Sequence, residues 1–149
     1  MLHSKSISYS NCMFTISPAK TTDSLNAEWR KLDAIHFGKP VEWVEKSFIF
    51  KAEENGKLIG LIEGKYEPGV LFISALMTAQ AARGKGVGTA LIERAEAFGK
   101  ELGAHKTWLT TGKHWSENAF YQKLGFQKIA DLPDFYLHVD FVIYIRDIK

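Results

Sequence analysis

The chain has 149 residues, a formal net charge of +2, 46% hydrophobic and 24% charged residues, and a single cysteine, Cys12. That is the length of one ordinary domain with enough apolar material for a core, and the charge is too small to argue for a nucleic-acid partner. One cysteine excludes an intrachain disulfide and any cysteine cage for a metal, and no stretch approaches the ~20 apolar residues of a membrane span.

Residues 1–11 are polar, Ser-rich and without the apolar core of a signal peptide. They read as a flexible N-terminal segment, with residues 12–149 as a single domain and a cytoplasmic location as the expectation. CMFTIS (Cys12 to Ser17) predicts a short strand. Leu25, Trp29, Leu32 and Ile35/His36 recur at helical spacing behind a possible cap at Asp23 or Ser24. Gly38 and Pro40 end that helix, and VEWVEK (Val41 to Lys46) predicts a second, short one with Pro40 at its first position.

The period then changes. SFIFKAEENGKLIGLIEGKY reads as a hairpin turning at Asn55-Gly56. YEPGV (Tyr66 to Val70) is another turn, and VLFISALMT (Val70 to Thr78) is apolar enough for a central strand covered on both faces. A glycine-rich segment follows, then a helix with Val87, Leu91, Ala95, Phe98 and Leu102 on one side and Gly103 as its stop. HKTWLTT (His105 to Thr111) predicts a strand and SENAFYQKLGF (Ser116 to Phe126) a helix capped by Ser116. FQKIA (Phe126 to Ala130) predicts a strand, DLPDF a loop, and LHVDFVIYIRDI (Leu137 to Ile148) a final strand. The order is β-α-α-β-β-β-α-β-α-β-β, an α/β protein with antiparallel hairpins around a strand–helix–strand crossover.

RGKGVGTALI (Arg83 to Ile92) is the segment that carries chemistry. Glycines in an ordered segment are costly, and here three precede a helix. The first turn of a helix has amide N–H groups without internal acceptors, and its dipole adds positive potential. Glycines let an anion approach those amides, and Arg83 and Lys85 add donors; a diphosphate suits such a site. The Walker pattern fails, because Lys85 is followed by Gly86. The dinucleotide pattern fails as well, because Thr89 stands where its third glycine belongs and His105 and Lys106 where its acid belongs. The bland alternative is a glycine-rich turn that holds nothing.

Arg83-Gly84-Lys85-Gly86-Val87-Gly88 reads as Gln/Arg-x-x-Gly-x-Gly/Ala and resembles the coenzyme A loop of the GNAT superfamily of N-acetyltransferases. AFYQKLGF (Ala119 to Phe126) is similar to that family's Tyr-x-x-x-Gly-Phe segment, with Tyr121, Gly125 and Phe126 in place. The resemblance implies a mixed, mostly antiparallel sheet of about seven strands with a splayed central strand pair, flanked by about four helices. It implies acetyl-CoA as cosubstrate, no metal, and acetyl transfer to a primary amine of a small molecule or peptide by direct attack through a tetrahedral intermediate. The diphosphate would fall to Arg83, Gly84, Lys85, Gly86, Val87, Gly88 and Thr89, and the pantetheine arm to the main chain of Leu76, Met77 and Thr78, where a bulge would free backbone groups. Tyr121 would protonate the departing thiolate.

Other roles stay open. Glu63, on the expected third strand, is a candidate to hold or activate the amine, and His114 another. The family's Asn and Ala positions before the tyrosine hold His114 and Glu117 here, so either Asn118 or His114 would meet the pantetheine arm. Trp29, His36, Trp43, Asp131, Asp134, Phe135 and Tyr136 are candidates for the acceptor side. A module that binds acyl-CoA without catalysis is the alternative function. The apolar final strand would suit pairing with a second copy as a homodimer.

Overall fold

The computed structural model describes residues 5–9, 12–20 and 25–149. The cap expected at Asp23 or Ser24 and residues 1–4, 10 and 11 lie outside them. The chain divides into two compact units, Met1–Glu42 and Trp43–Lys149. In the first, β1 (Lys5–Tyr9) pairs antiparallel with β2 (Cys12–Ile16), so the segment expected to be flexible contains a paired strand. Helix α1 (Asn26–Phe37) ends where Gly38 takes a left-handed φ of 69°. The second helix expected from VEWVEK does not form: residues 41–45 have no regular structure, and Lys46 opens a strand. Six residues are too few to sustain a helix nucleus, and β-branched Val41 and Val44 weaken it further.

The second unit holds β3 (Lys46–Glu54), β4 (Lys57–Glu67), β5 (Val70–Thr78), α2 (Val87–Glu101), β6 (Lys106–Gly112), α3 (Glu117–Lys123), β7 (Gln127–Leu132) and β8 (Phe141–Asp147). Its six strands run in the order β3-β4-β5-β6-β8-β7. All neighbours are antiparallel except β5 and β6, which α2 joins as a parallel crossover. The expected fold class therefore stands, with six strands in one sheet, a separate two-stranded hairpin and three helices among the described residues. At the β3–β4 turn Asn55 and Gly56 both have positive φ, 51° and 74°, as a two-residue hairpin turn that follows the strands' twist requires.

Two irregularities in the sheet place the site. The register of β4 and β5 slips between Glu63 and Gly64, where Ser74 is the extra residue on β5 and its hydroxyl donates to the Glu63 carbonyl at 3.1 Å. Gly64 is needed there, since a Cβ would stand 2.0 Å from the Phe72 carbonyl oxygen. Beyond this bulge β5 leaves β6: the two pair only over Val70–Ile73 and Lys106–Leu109. The last strand is shorter than expected, because Tyr136–His138 form a 3-10 turn with Leu137 and His138 at positive φ. It is also interior. β8 is paired on one side with β6 and on the other with β7, which removes the free edge on which pairing with a second copy was expected.

Phe48, Ile62, Leu71, Ile73, Leu91, Ile92 and Ala95 are buried between α2 and the sheet, and the same core continues through Leu109, Tyr121, Phe126, Val142 and Tyr144. Polar clamps cross it at one point. Arg146 on β8 donates from Nε and Nη2 to the two oxygens of Glu96 on α2, at 3.0 and 2.7 Å, and from Nη1 to the carbonyl of Leu124 just past α3, at 2.7 Å. Thr107 on β6 donates to the same Glu96 at 2.8 Å, and the guanidinium lies 4.7 Å from the ring centroid of Phe126. No helix among the described residues is long and apolar enough to cross a membrane.

Removing one partner of a mostly buried ion pair leaves the other charge uncompensated, a loss of about 3 kcal/mol. Arg146→Met is expected to cost that much in urea denaturation. Lys51→Met, which breaks the exposed Lys51–Glu53 pair, should change stability by no more than about 0.5 kcal/mol. Equal effects would show that the Arg146 clamp contributes nothing special.

Candidate active site

The start of α2 is built to present main-chain donors. Gly84 and Gly86 have φ of 77° and 80°, left-handed values that only glycine adopts freely, and Gly86 is the residue from which α2 begins. The helix's first internal bond runs from Ala90 N–H to Gly86 O at 3.0 Å. The N–H groups of residues 84–89 meet no acceptor among the described residues, and no acid stands in the first turn to offset the positive end of the helix.

The end of β5 presents a second set. Ala79 N–H donates to Ile59 O on β4 at 2.9 Å. Backbone direction alternates along an antiparallel ladder, so Met77 and Ala75 also face β4, while Leu76 and Thr78 turn their N–H and C=O toward the side that β6 has left. The two sets converge, because the Thr78 hydroxyl lies 3.6 Å from where a Cβ on Gly88 would stand. The same Cβ would be 3.1 Å from Cζ of Phe120 on α3, so glycine at 88 is what lets α3 close against the first turn of α2.

Between these elements lies a cleft of about 820 Å³. Leu76, Met77 and Thr78 line it from β5, and Arg83, Gly84, Gly86, Val87, Gly88 and Thr89 from the loop and α2. Ser116, Glu117, Phe120, Tyr121, Lys123 and Leu124 form the α3 wall. Tyr121 is 8% exposed, and its hydroxyl has no hydrogen-bond partner among the described residues. Burial, with a smaller contribution from the Glu117 carboxylate, pushes its phenol up to about 12. It is therefore a neutral O–H donor at every physiological pH, held at the wall of the cleft.

The expected site residues separate into those the cleft gathers and those it does not. Lys85 points elsewhere: its Nζ is 3.8 Å from Glu54, and it lines a recess with Phe50, Lys51 and Arg94 on the β3 side of α2. Glu63 follows Ile62, which is fully buried under α2, so by alternation along the strand it lies on the opposite face of the sheet. Asn118 spends its amide on the β6–α3 loop, with Nδ2 donating to Gly112 O at 2.8 Å and Trp115 O at 2.7 Å. His114 is exposed in that loop. Of the acceptor-side candidates, Phe135 and Tyr136 pack around Phe141, while Lys128 and Lys113 hold Asp131, its carboxyl below the usual range.

Phe120 reads as a core residue from sequence, and it does pack against the core while also lining the cleft, as does Leu124; Lys123 and Leu124 attract no notice in the sequence. The signal for Phe120 and Leu124 was the spacing Glu117, Phe120, Tyr121, Leu124, one helical stripe, which here meets both the core and the cleft. Ser116 does not cap α3: its conformation is helical and its side chain makes no cap bond.

The cleft is formed where a parallel strand pair parts, with helix-start amides at one end. Residues 18–126 match the Acetyltransferase (GNAT) family, and the chain belongs to that family. It is 33% identical over 87 residues to a blasticidin-S acetyltransferase of Streptomyces morookaense, over 55% of this chain and 60% of that one; the chain thus spans under two thirds of that relative's length. A Bacillus subtilis acetyltransferase solved in complex with CoA is 20% identical with a TM-score of 0.62, covering 89% of this chain and 96% of the other. A nourseothricin acetyltransferase is 22% identical with a TM-score of 0.63, covering 70% and 66%. These two likenesses show the fold.

The position of Tyr121 has a consequence in alkali. Its folded-state value is raised above the ordinary 10.0, so its contribution to stability is complete below pH 10 and is lost as pH rises through about 12. Ultraviolet titration of wild type against Tyr121→Phe isolates this phenol, and its midpoint should lie near 12. A midpoint near 10 would mean that the hydroxyl is solvated.

Proposed function

We propose that the chain is an acetyl-CoA-dependent N-acetyltransferase acting on a primary amine of a small molecule or peptide. The observation that carries this reading is the convergence in one cleft of unpaired main-chain donors from Gly84 and residues 86–89, the outward backbone of Leu76 and Thr78, and the unpartnered Tyr121 hydroxyl. The cradle fits coenzyme A in kind and order: donors for a diphosphate at the helix start, a strand edge for an extended amide-bearing arm, and a proton source beyond.

Coenzyme A would bring the acetyl group as a thioester. The chain's own residues do the rest. The amides at the start of α2, with Arg83, bind the diphosphate. Leu76 and Thr78 hold the arm as an added strand would be held and offer an N–H toward the carbonyl oxygen, where negative charge develops as the amine nitrogen bonds to carbon. Tyr121 keeps a proton at its Oη for the thiolate sulfur. Glu63 lies on the sheet face away from α2, and an amine reaching the strand parting from that face would meet its carboxylate. Relatives named for acetylating blasticidin-S and nourseothricin support a small molecule as the acceptor.

The test is release of free thiol from acetyl-CoA over a panel of small-molecule and peptide amines. Turnover with any amine supports the reading. Binding of acetyl-CoA with no thiol released from any of them would favour a binding module instead.

Substitutions at two positions test the parts. Gly86→Asp and Gly86→Asn carry similar backbone strain, since both residues tolerate left-handed φ, but only the first adds charge. Gly86→Asp is expected to weaken acetyl-CoA at least about tenfold more than Gly86→Asn in calorimetry, and equal affinities would remove the diphosphate from this loop. Tyr121→Phe is expected to lower kcat about a hundredfold with the acetyl-CoA Kd within about threefold. A matching loss in both would give the hydroxyl a structural role.

A further inference from the structure

Helix α3 carries Tyr121 but has little of its own to hold it in place. It is seven residues long, shorter than a helix that sustains itself, and its first turn has no side-chain cap. Besides the Arg146 bond to the Leu124 carbonyl and apolar packing, a buried hydroxyl ties it to the sheet. Tyr144 on β8 is 1% exposed and sits between β6 and β7, opposite Leu109 and Lys128. Its O–H donates to Asn118 Oδ1 at 2.9 Å and accepts from Gln122 Nε2 at 3.1 Å. Asn118 and Gln122 are four residues apart and share one face of α3. The same Asn118 amide reaches back to Gly112 O and Trp115 O, and more weakly to Lys113 O at 3.4 Å. Helix, strand and the loop before the helix are thus tied through one amide and one phenol. The Tyr121 ring lies against this tie, 6.0 Å from that of Tyr144 between centroids.

The geometry points to Tyr144 as a positioning residue: its hydroxyl, through Asn118 and Gln122, fixes the rotation of α3 and so the direction in which Tyr121 presents its phenol to the cleft. This rests on the reading of Tyr121 as proton donor. Asn118 then acts on the coenzyme's side of the reaction without touching the coenzyme. Rotating a seven-residue helix by a small angle displaces a tyrosine oxygen several bonds from its axis, and displacements of about 1 Å can cost about a hundredfold in rate.

A double-mutant cycle tests it. Tyr144→Phe keeps the ring and deletes only the hydroxyl. With the amine that turns over fastest in the panel, it should lower kcat about tenfold or more while the acetyl-CoA Kd stays within about threefold. In the Tyr121→Phe background the same substitution should change kcat by less than about twofold, because the group it aims is gone. A merely structural Tyr144 would lower kcat equally in both backgrounds, or lower only the melting temperature, and either result overturns the positioning role. Gln122→Met, which removes one arm of the tie from the helix side, runs the same cycle should Tyr144→Phe not fold. If Tyr121→Phe alone leaves kcat intact, the donor reading falls and this inference with it; a loss in Tyr121→Phe without coupling to Tyr144 removes only this inference.

Discussion

The parting of β5 from β6 beyond Ile73 and Leu109 is the constraint on which the rest of the second unit depends. A paired strand satisfies its own backbone, and a strand that loses its neighbour must find partners elsewhere. The bulge at Ser74 starts the departure, and Gly64 permits it by letting Phe72 O come close. Once the strands separate, the crossover from β5 into α2 brings the helix start beside the freed edge. Two kinds of unpaired main-chain donor then line one cleft. Neither depends on a particular side chain. The glycines serve the same end, two by taking left-handed conformations and Gly88 by leaving room for Phe120.

A gap opened in a sheet tends to close, so something must hold its walls apart. The Arg146–Glu96 pair with Thr107 and the Leu124 carbonyl joins both helices to the strands on the far side of the gap. Each carboxylate oxygen of Glu96 and each guanidinium nitrogen of Arg146 has a partner, which is the condition under which a buried pair confers order rather than strain. Tyr144 ties one face of α3 from Asn118 to Gln122, and Arg146 ties the residue just past its end. The elements that form the cleft are thus held from behind by fully paired polar groups.

How much of this was legible in the sequence divides by range. Asn55-Gly56, the glycine segment before α2 and the strand at Val70–Thr78 are specified by neighbouring residues, and each stands where the sequence places it, but that strand is not covered on both faces as expected: Leu71 and Ile73 are buried while Ser74 and Met77 are exposed. The helix expected at Val41–Lys46 was a local pattern overridden when Lys46 joined the edge of the sheet. The interior place of β8 could not be read from its own residues, because apolar alternation does not say how many neighbours a strand has. Lys85 and Arg83 look alike in a motif, yet a left-handed residue on either side of Lys85 sends its side chain away from the cleft toward Glu54. Phe120 and Asn118 show the same limit: helical spacing assigns a face, and only the fold decides whether that face meets core, cleft or loop.

The central claim is that main-chain donors of the α2 start and the β5 edge grip a diphosphate-bearing thioester carrier. The most direct measurement is a nuclear magnetic resonance titration of the 15N-labelled protein with coenzyme A, following each backbone amide. The account predicts the largest shifts at residues 84–89 and at Leu76 and Thr78, with the amides of Phe50, Lys51, Ala52 and Arg94 on the β3 side of α2 little changed. Saturable binding that moves Phe50, Lys51, Ala52 and Arg94 or another surface and leaves residues 84–89 unshifted would contradict it.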